Sequence, residues 1–139
     1  MTNRIERHTD EWYAALDTYI DERRGAPFEW GVNDCCSFAA DWVQIATGVD
    51  PMAELRGLTS ALAAHRALER MGGMLAVVEQ FCGPHIPGPF AQVGDLAMVT
   101  LPSGHKAMAV CIGPWLTAPS AHGGLSMIPV DAAEAAWRV

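Results

Sequence analysis

The spacing of apolar residues changes partway along the chain. Apolar residues recur at helical spacing up to about residue 81, and they form short strand-like runs from about residue 94 onward. Between these parts, Pro84, Pro87 and Pro89 stand among glycines, which interrupt regular structure. Because the helices precede the strands rather than alternating with them, we expect an α+β fold with N-terminal helices packed on a small antiparallel sheet.

Four helices are predicted in the helical part, about residues 9–81. Three of them begin after a residue whose side chain can cap unpaired amides: Thr9 or Asp10, Asn33 or Asp34, Thr59 or Ser60. Gly48 ends the second helix, and a short fourth one is predicted over 74–81. Trp12, Leu16 and Ile20 share one face of the first helix, which predicts that this face is buried.

Three strands are predicted in the β part, about residues 94–130, at 95–101, 106–112 and 125–130. A short C-terminal helix is predicted over about 131–137. At 139 residues, the chain has the length of one ordinary domain, so we expect residues 1–139 to fold as a single unit.

The charge balance excludes some classes of partner. Nine basic residues stand against sixteen acidic ones, and the formal net charge is −7. That sign is wrong for a nucleic-acid-binding protein, whose main task is to neutralise phosphates. No apolar run is long enough to insert into a membrane, and the N-terminus has no secretory leader. We therefore expect a protein made in a cytoplasm, with reduced cysteines.

Cys35 is the strongest candidate for a reactive residue. It follows Asn33 and Asp34, the candidate caps, and so lies in the first turn of the second helix. Unpaired amides and the helix dipole stabilise a thiolate there, and a thiolate is the nucleophilic form of cysteine. The alternative is that Cys35 and its neighbour Cys36 are small apolar residues that fill space between the helix and the sheet.

A nucleophilic thiol needs an imidazole within hydrogen-bond reach. Of the five histidines, His105 opens the second predicted strand and His122 lies in the turn before the third. These two are the candidate bases. His8 and His65 are expected to be solvated, and His85 fits a turn in the proline-rich loop.

The cysteines indicate neither a metal site nor a cofactor. The four cysteines lack a Cys-x-x-Cys pair, so no metal or cofactor is predicted.

Two tryptophans are placed where a partner protein could contact them. Trp30 stands in a loop before Cys35, and Trp137 lies close to the C-terminus. Both are candidates for a protein interface, where large aromatic residues are enriched.

The segment from Trp30 to Phe38, WGVNDCCSF, is followed about sixty residues later by Gly94-Asp95-Leu96 and then by a strand that ends in Gly113. This combination resembles the NlpC-like cell-wall peptidases of the papain-like cysteine hydrolase superfamily. More narrowly, it is similar to small phage and prophage proteins of that superfamily that are encoded among tail genes.

The resemblance implies a papain-like fold in which the cysteine heads a helix that packs on an antiparallel sheet carrying the catalytic histidine. Asp34-Cys35 matches the nucleophile motif. In the family, the histidine stands six positions before the glycine that Gly113 matches, and Ala107 occupies that position here. His105 lies two residues away, about 6.6 Å along a strand, and could act only after a bulge or a register shift.

Two functions follow from the resemblance. The first is a structural or assembly component of a phage or prophage tail tip with a degenerate active site, bound to other tail proteins. The second is an active cysteine peptidase or amidase that cleaves peptidoglycan peptides during phage entry. In either case we expect a protein of the virion tail that is made in the cytoplasm of the bacterial host.

Overall fold

The computed structural model describes residues 11–53 and 60–139. Within these ranges, the helices are α1 (Trp12–Arg23), α2 (Cys35–Thr47), α3 (Ala61–Arg70) and α4 (Met74–Cys82). The strands are β1 (Ile86–Pro87), β2 (Leu96–Thr100), β3 (Lys106–Cys111), β4 (Trp115–Pro119), β5 (Leu125–Pro129) and β6 (Ala135–Trp137). None of the described helices is long and apolar enough to cross a membrane.

The helix ends follow the capping signals of the sequence. The Asp34 carboxylate accepts a hydrogen bond from the Ser37 amide at 2.8 Å and so caps α2. Ser60 caps α3 in the same way, and Gly48 ends α2 in the left-handed conformation that glycine adopts without strain. Thr9, Asp10 and Thr59, the other candidate caps, lie outside the described residues.

The six strands form one antiparallel sheet in the order β1-β6-β2-β3-β4-β5. Helix α2 packs on β3 and β4, and α1 packs on α2. The structure thus has the predicted α+β architecture, with the helices of the first half on a sheet built by the second half.

The core has two parts, one on each face of the sheet. The first contains Trp42 and Phe38 from α2, which meet Met108 and Val110 of β3. The Trp42 indole N–H donates to the Gly94 carbonyl at 2.8 Å and ties α2 to the residues just before β2. The second part is formed mainly by small residues of the sheet, among them Ala97, Ala107 and Ala109.

The predicted C-terminal helix is wrong. Only Val130–Ala132 forms a single 3-10 turn, and β6 follows it. The alanines of this segment have a high helix propensity, but β6 pairs with β1 on one side and β2 on the other, and these backbone hydrogen bonds override the local preference.

Two further strands and a 3-10 turn were not predicted from the sequence. Strand β4 follows Pro114 and ends with Pro119, and prolines favour a loop when only local sequence is considered. The proline-rich loop contains the two residues of β1 and a 3-10 turn at Gly88–Phe90. Both strands exist because partner strands from elsewhere in the chain pair with them.

Gly88 permits the close approach of the two 3-10 turns. A side-chain carbon at this position would overlap the backbone carbonyl of Ala133. We expect Gly88→Ala to lower the free energy of unfolding by about 3 kcal/mol or more, because the neighbour is backbone and cannot rotate away. Urea denaturation followed by tryptophan fluorescence measures this.

Gly25→Ala is the matched control, because a carbon added there meets no atom within 4 Å. We expect it to change stability by no more than about 0.5 kcal/mol. Equal midpoints for the two variants would contradict the close contact at Gly88.

Candidate functional site

The Asp34 carboxylate fixes the loop that leads into α2. One oxygen accepts from the Ser37 amide and the other from the Gly31 amide, each at 2.8 Å. Asn33, the other candidate cap, instead accepts from Arg23 and donates to the Pro27 carbonyl. Asp34 is therefore the cap, and it sets the position of Cys35 at the first residue of the helix.

The Cys35 and Cys36 sulfurs lie 3.9 Å apart and interact. The hydrogen bond from the Cys36 thiol lowers the pKa of Cys35, and the backbone amides of Met108 and Cys36 act in the same direction, against burial and the Asp34 charge. The same pairing and burial raise the pKa of Cys36 well above its ordinary value. Cys35 is thus the more acidic thiol of the pair.

The other two cysteines are poor nucleophiles. Burial raises the pKa of Cys82 to about 11. Burial also raises the pKa of Cys111. The Cys111 sulfur lies 3.3 Å from the Gly113 carbonyl oxygen. All four cysteines lie in the described residues, and of these only Cys35 has a lowered pKa.

The candidate bases lie in exposed turns. His105 is at the β2–β3 turn, where its ring is 3.3 Å from the Ser103 hydroxyl and its centroid is 5.7 Å from that of His65. His122 lies in the exposed turn between β4 and β5. In residues 11–53 and 60–139, no imidazole forms a hydrogen bond with Cys35 Sγ, so the structure does not assemble the expected Cys–His pair.

Ala107 is buried near Cys35. The two residues contact the same apolar cluster, and the amide of the next residue, Met108, donates to Cys35 Sγ. A methyl group therefore lies in the region where the family resemblance places the imidazole. The role of the Met108 amide had no signal in the sequence, because it depends on the packing of α2 against β3.

The two interface candidates have different surroundings. Trp30 is 39% exposed, packs edge-on against Phe28 and stays available for an interface. Trp137 is fully buried in the first core cluster, so its prediction as an interface residue is wrong. It lies on β6, between β1 and β2 of the sheet, where the prediction of a C-terminal helix did not place it.

An apolar cavity of about 90 Å³ lies beside Cys35, between α2, α3 and α4. Its lining includes Trp30, Cys35, Cys36, Cys82 and Met108, and no histidine of the described residues. Across residues 11–53 and 60–139, no three His, Cys, Asp or Glu side chains are grouped so as to hold a metal ion. The site therefore offers an activated thiol and an apolar surface, without a neighbouring base.

A family model described as "Domain of unknown function (DUF6950)" matches residues 6–139. The structure is similar to the crystal structure of the NlpC/p60 domain of the peptidoglycan hydrolase SagA. The TM-score is 0.59 and the sequence identity 20%, covering 91% of this chain and 98% of that one. This likeness confirms the papain-like, NlpC-like fold.

The P60 domain from the M. avium paratuberculosis antigen MAP1272c is a second similar structure. Its TM-score is 0.48 and its identity 17%, with 93% of each chain covered. No curated protein matches the sequence.

The lowered pKa of Cys35 has a direct consequence for its alkylation. Iodoacetamide reacts with the thiolate, so the rate at Cys35 should rise with pH around a midpoint below the ordinary value of 9.0. Cys36→Ala removes the largest cause of the shift, and the midpoint should move upward. Peptide mass spectrometry after timed quenching measures the rate at each cysteine.

Cys111→Ala is the matched control for this experiment. Cys111 is buried on β3 and is not among the groups that shift the pKa of Cys35, so its loss should leave the Cys35 profile unchanged. An unchanged midpoint in Cys36→Ala would show that Cys36 does not stabilise the thiolate.

Proposed function

We propose that this chain, which belongs to the family described as a domain of unknown function (DUF6950), is a phage or prophage tail component that keeps the NlpC/p60 fold without its hydrolytic activity. In this proposal it serves in the assembly of the tail tip and binds other tail proteins. It is made in the cytoplasm of the bacterial host and becomes part of the virion tail.

The proposed absence of hydrolytic activity rests on the groups that surround Cys35. Cleavage of an amide by a thiolate needs an acid that protonates the leaving amine, and an imidazole normally supplies that proton. Within the described residues, the hydrogen-bond partners of Cys35 Sγ are Cys36 and backbone amides. Ala107, whose methyl group cannot transfer a proton, contacts the same cluster as Cys35.

Two observations support a role in tail assembly. The first is the resemblance of the WGVNDCCSF segment and Gly94-Asp95-Leu96 to small phage proteins encoded among tail genes. The second is a set of large apolar side chains that are at least 39% exposed and so available to partner proteins: Trp30, Phe90, Trp115 and Met127.

An active peptidoglycan peptidase is the second candidate. The lowered pKa of Cys35 favours it, because a thiolate is the form that attacks a carbonyl. In that case His105 or His122 would have to move next to Cys35 when substrate binds. One assay separates the two candidates.

We expect the full chain to release no new amino termini from purified peptidoglycan or its soluble peptides, at a rate indistinguishable from that of Cys35→Ala. The reason is that no imidazole of the described residues is bonded to Cys35. The NlpC/p60 domain of SagA serves as the positive control on the same substrate, and mass spectrometry of the products is the measurement. Cleavage that disappears in Cys35→Ala, with an unchanged melting temperature, would establish the peptidase instead.

The assembly role has its own test. In a phage that carries this gene, we expect deletion to abolish infectious particles and to leave incomplete tails in electron micrographs. Plasmid-borne wild type and Cys35→Ala should restore plaques equally, because the role depends on the fold and not on the thiol. Complete tails without the protein would contradict the proposal, as would its absence from purified tails that formed in its presence.

A further inference from the structure

The cavity beside Cys35 is a partly open apolar pocket of about 90 Å³. One water-sized group needs about 10–15 Å³ of such space, so the cavity holds a chain of about six to nine groups of that size. Its walls include Ala39 and Val43 of α2, Ala67 and Leu68 of α3, and Phe81 of α4.

The residues that line the cavity favour an apolar ligand. Water in a cavity needs two to four polar partners, and these walls are almost entirely carbon and sulfur. Asp34 is the only charged side chain among the described lining residues, and its two oxygens are already bonded to the amides of Ser37 and Gly31. An aliphatic chain fits these walls better than water or a polar group does.

Cys35 places an activated sulfur at the wall of this cavity. Trp30 lines the same cavity and is 39% exposed, so the Cys35 side of the cavity is near the surface. Without an imidazole among the described residues to protonate a leaving amine, the Cys35 thiolate is suited to a carbonyl whose leaving group departs as a stable anion. A thioester has such a leaving group, because a thiolate is far less basic than an amide anion.

We propose that the cavity binds an aliphatic acyl chain of medium length and that Cys35 accepts the acyl group from a thioester donor. The Cys35 thiolate attacks the thioester carbonyl carbon, and a new C–S bond forms at Sγ. The C–S bond to the donor breaks, and the donor leaves as a thiolate that takes a proton from water. No oxidant or reductant is consumed, and the proposal is independent of the role in the tail.

Incubation of the full chain with octanoyl-coenzyme A tests the proposal. We expect a mass increase of one octanoyl group, located on Cys35 by peptide mapping and removed by neutral hydroxylamine. Transfer from octanoyl-coenzyme A should be at least about tenfold faster than from acetyl-coenzyme A, because burial of each additional methylene is favourable. Cys35→Ser should abolish the modification, because a hydroxyl is not ionised at neutral pH.

Substitutions in α3 test the role of the cavity separately from the reactivity of the Cys35 thiol. Ala67→Leu should remove the preference for octanoyl by filling the cavity, so that the octanoyl and acetyl rates become equal, and iodoacetamide labelling of Cys35 is measured in parallel. Ala64 also lines the cavity and is more exposed, so Ala64→Leu serves if Ala67→Leu does not fold. Ala63→Leu lies on the same helix outside the lining and should retain the preference.

Several results would overturn the proposal. One is the absence of acyl transfer while iodoacetamide still labels Cys35. Equal rates for octanoyl and acetyl donors would remove the role of the cavity, as would retention of the octanoyl preference in a folded cavity-filling variant. Acylation of Cys82 instead of Cys35 would show that the cavity guides the chain to a different sulfur, since both cysteines line it.

Discussion

The carboxylate of Asp34 is the interaction on which the site depends. It holds the Gly31 amide of the incoming loop and the Ser37 amide of the first helical turn with its two oxygens, so loop and helix have a fixed relative orientation. Helix α2 is then tied to the sheet by Trp42, whose indole N–H is bonded to the Gly94 carbonyl. These two anchors determine where Cys35 meets β3. A buried carboxylate that is fully hydrogen-bonded stabilises such a junction, whereas an unpaired one would destabilise it.

Cysteine hydrolases normally combine a thiol of lowered pKa with an acid that protonates the leaving group. In this site the two properties are separate. Activation of the sulfur comes from the neighbouring thiol and from backbone amides, and it needs no imidazole. Transfer of a proton to the leaving group needs an acid, and Ala107 supplies none. A fold can therefore keep a cysteine with a lowered pKa where no imidazole of the described residues is bonded to it, because part of what lowers the pKa belongs to the start of the helix.

Local signals in the sequence predict the helical half well and the sheet incompletely. Asp34, Ser60 and Gly48 act within one helical turn of themselves, so their roles can be inferred from the residues alone. Strand β6 depends on pairing with β1 and β2, about 40 to 50 positions earlier in the chain, and no local pattern reports that pairing. Burial of Trp137 was missed for the same reason.

The site shows the same division between local and distant information. The position of Cys35 at the head of a helix follows from its neighbours in sequence. The spacing in the family resemblance identifies Ala107 as the residue at the position of the histidine. The cavity does not follow from either, because its walls come from three helices and the sheet. The approach of the Met108 amide to Cys35 likewise exists only once α2 lies on β3.

The place of β6 inside the sheet has a consequence for how the chain folds. Strand β1 is hydrogen-bonded to the sheet through β6, so neither strand can take its place until residues 135–137 have closed a long loop back to β2. Until then, the apolar face of α2 has an incomplete sheet to pack on. Closing that loop slows folding, and the form that lacks β6 is the state most exposed to aggregation.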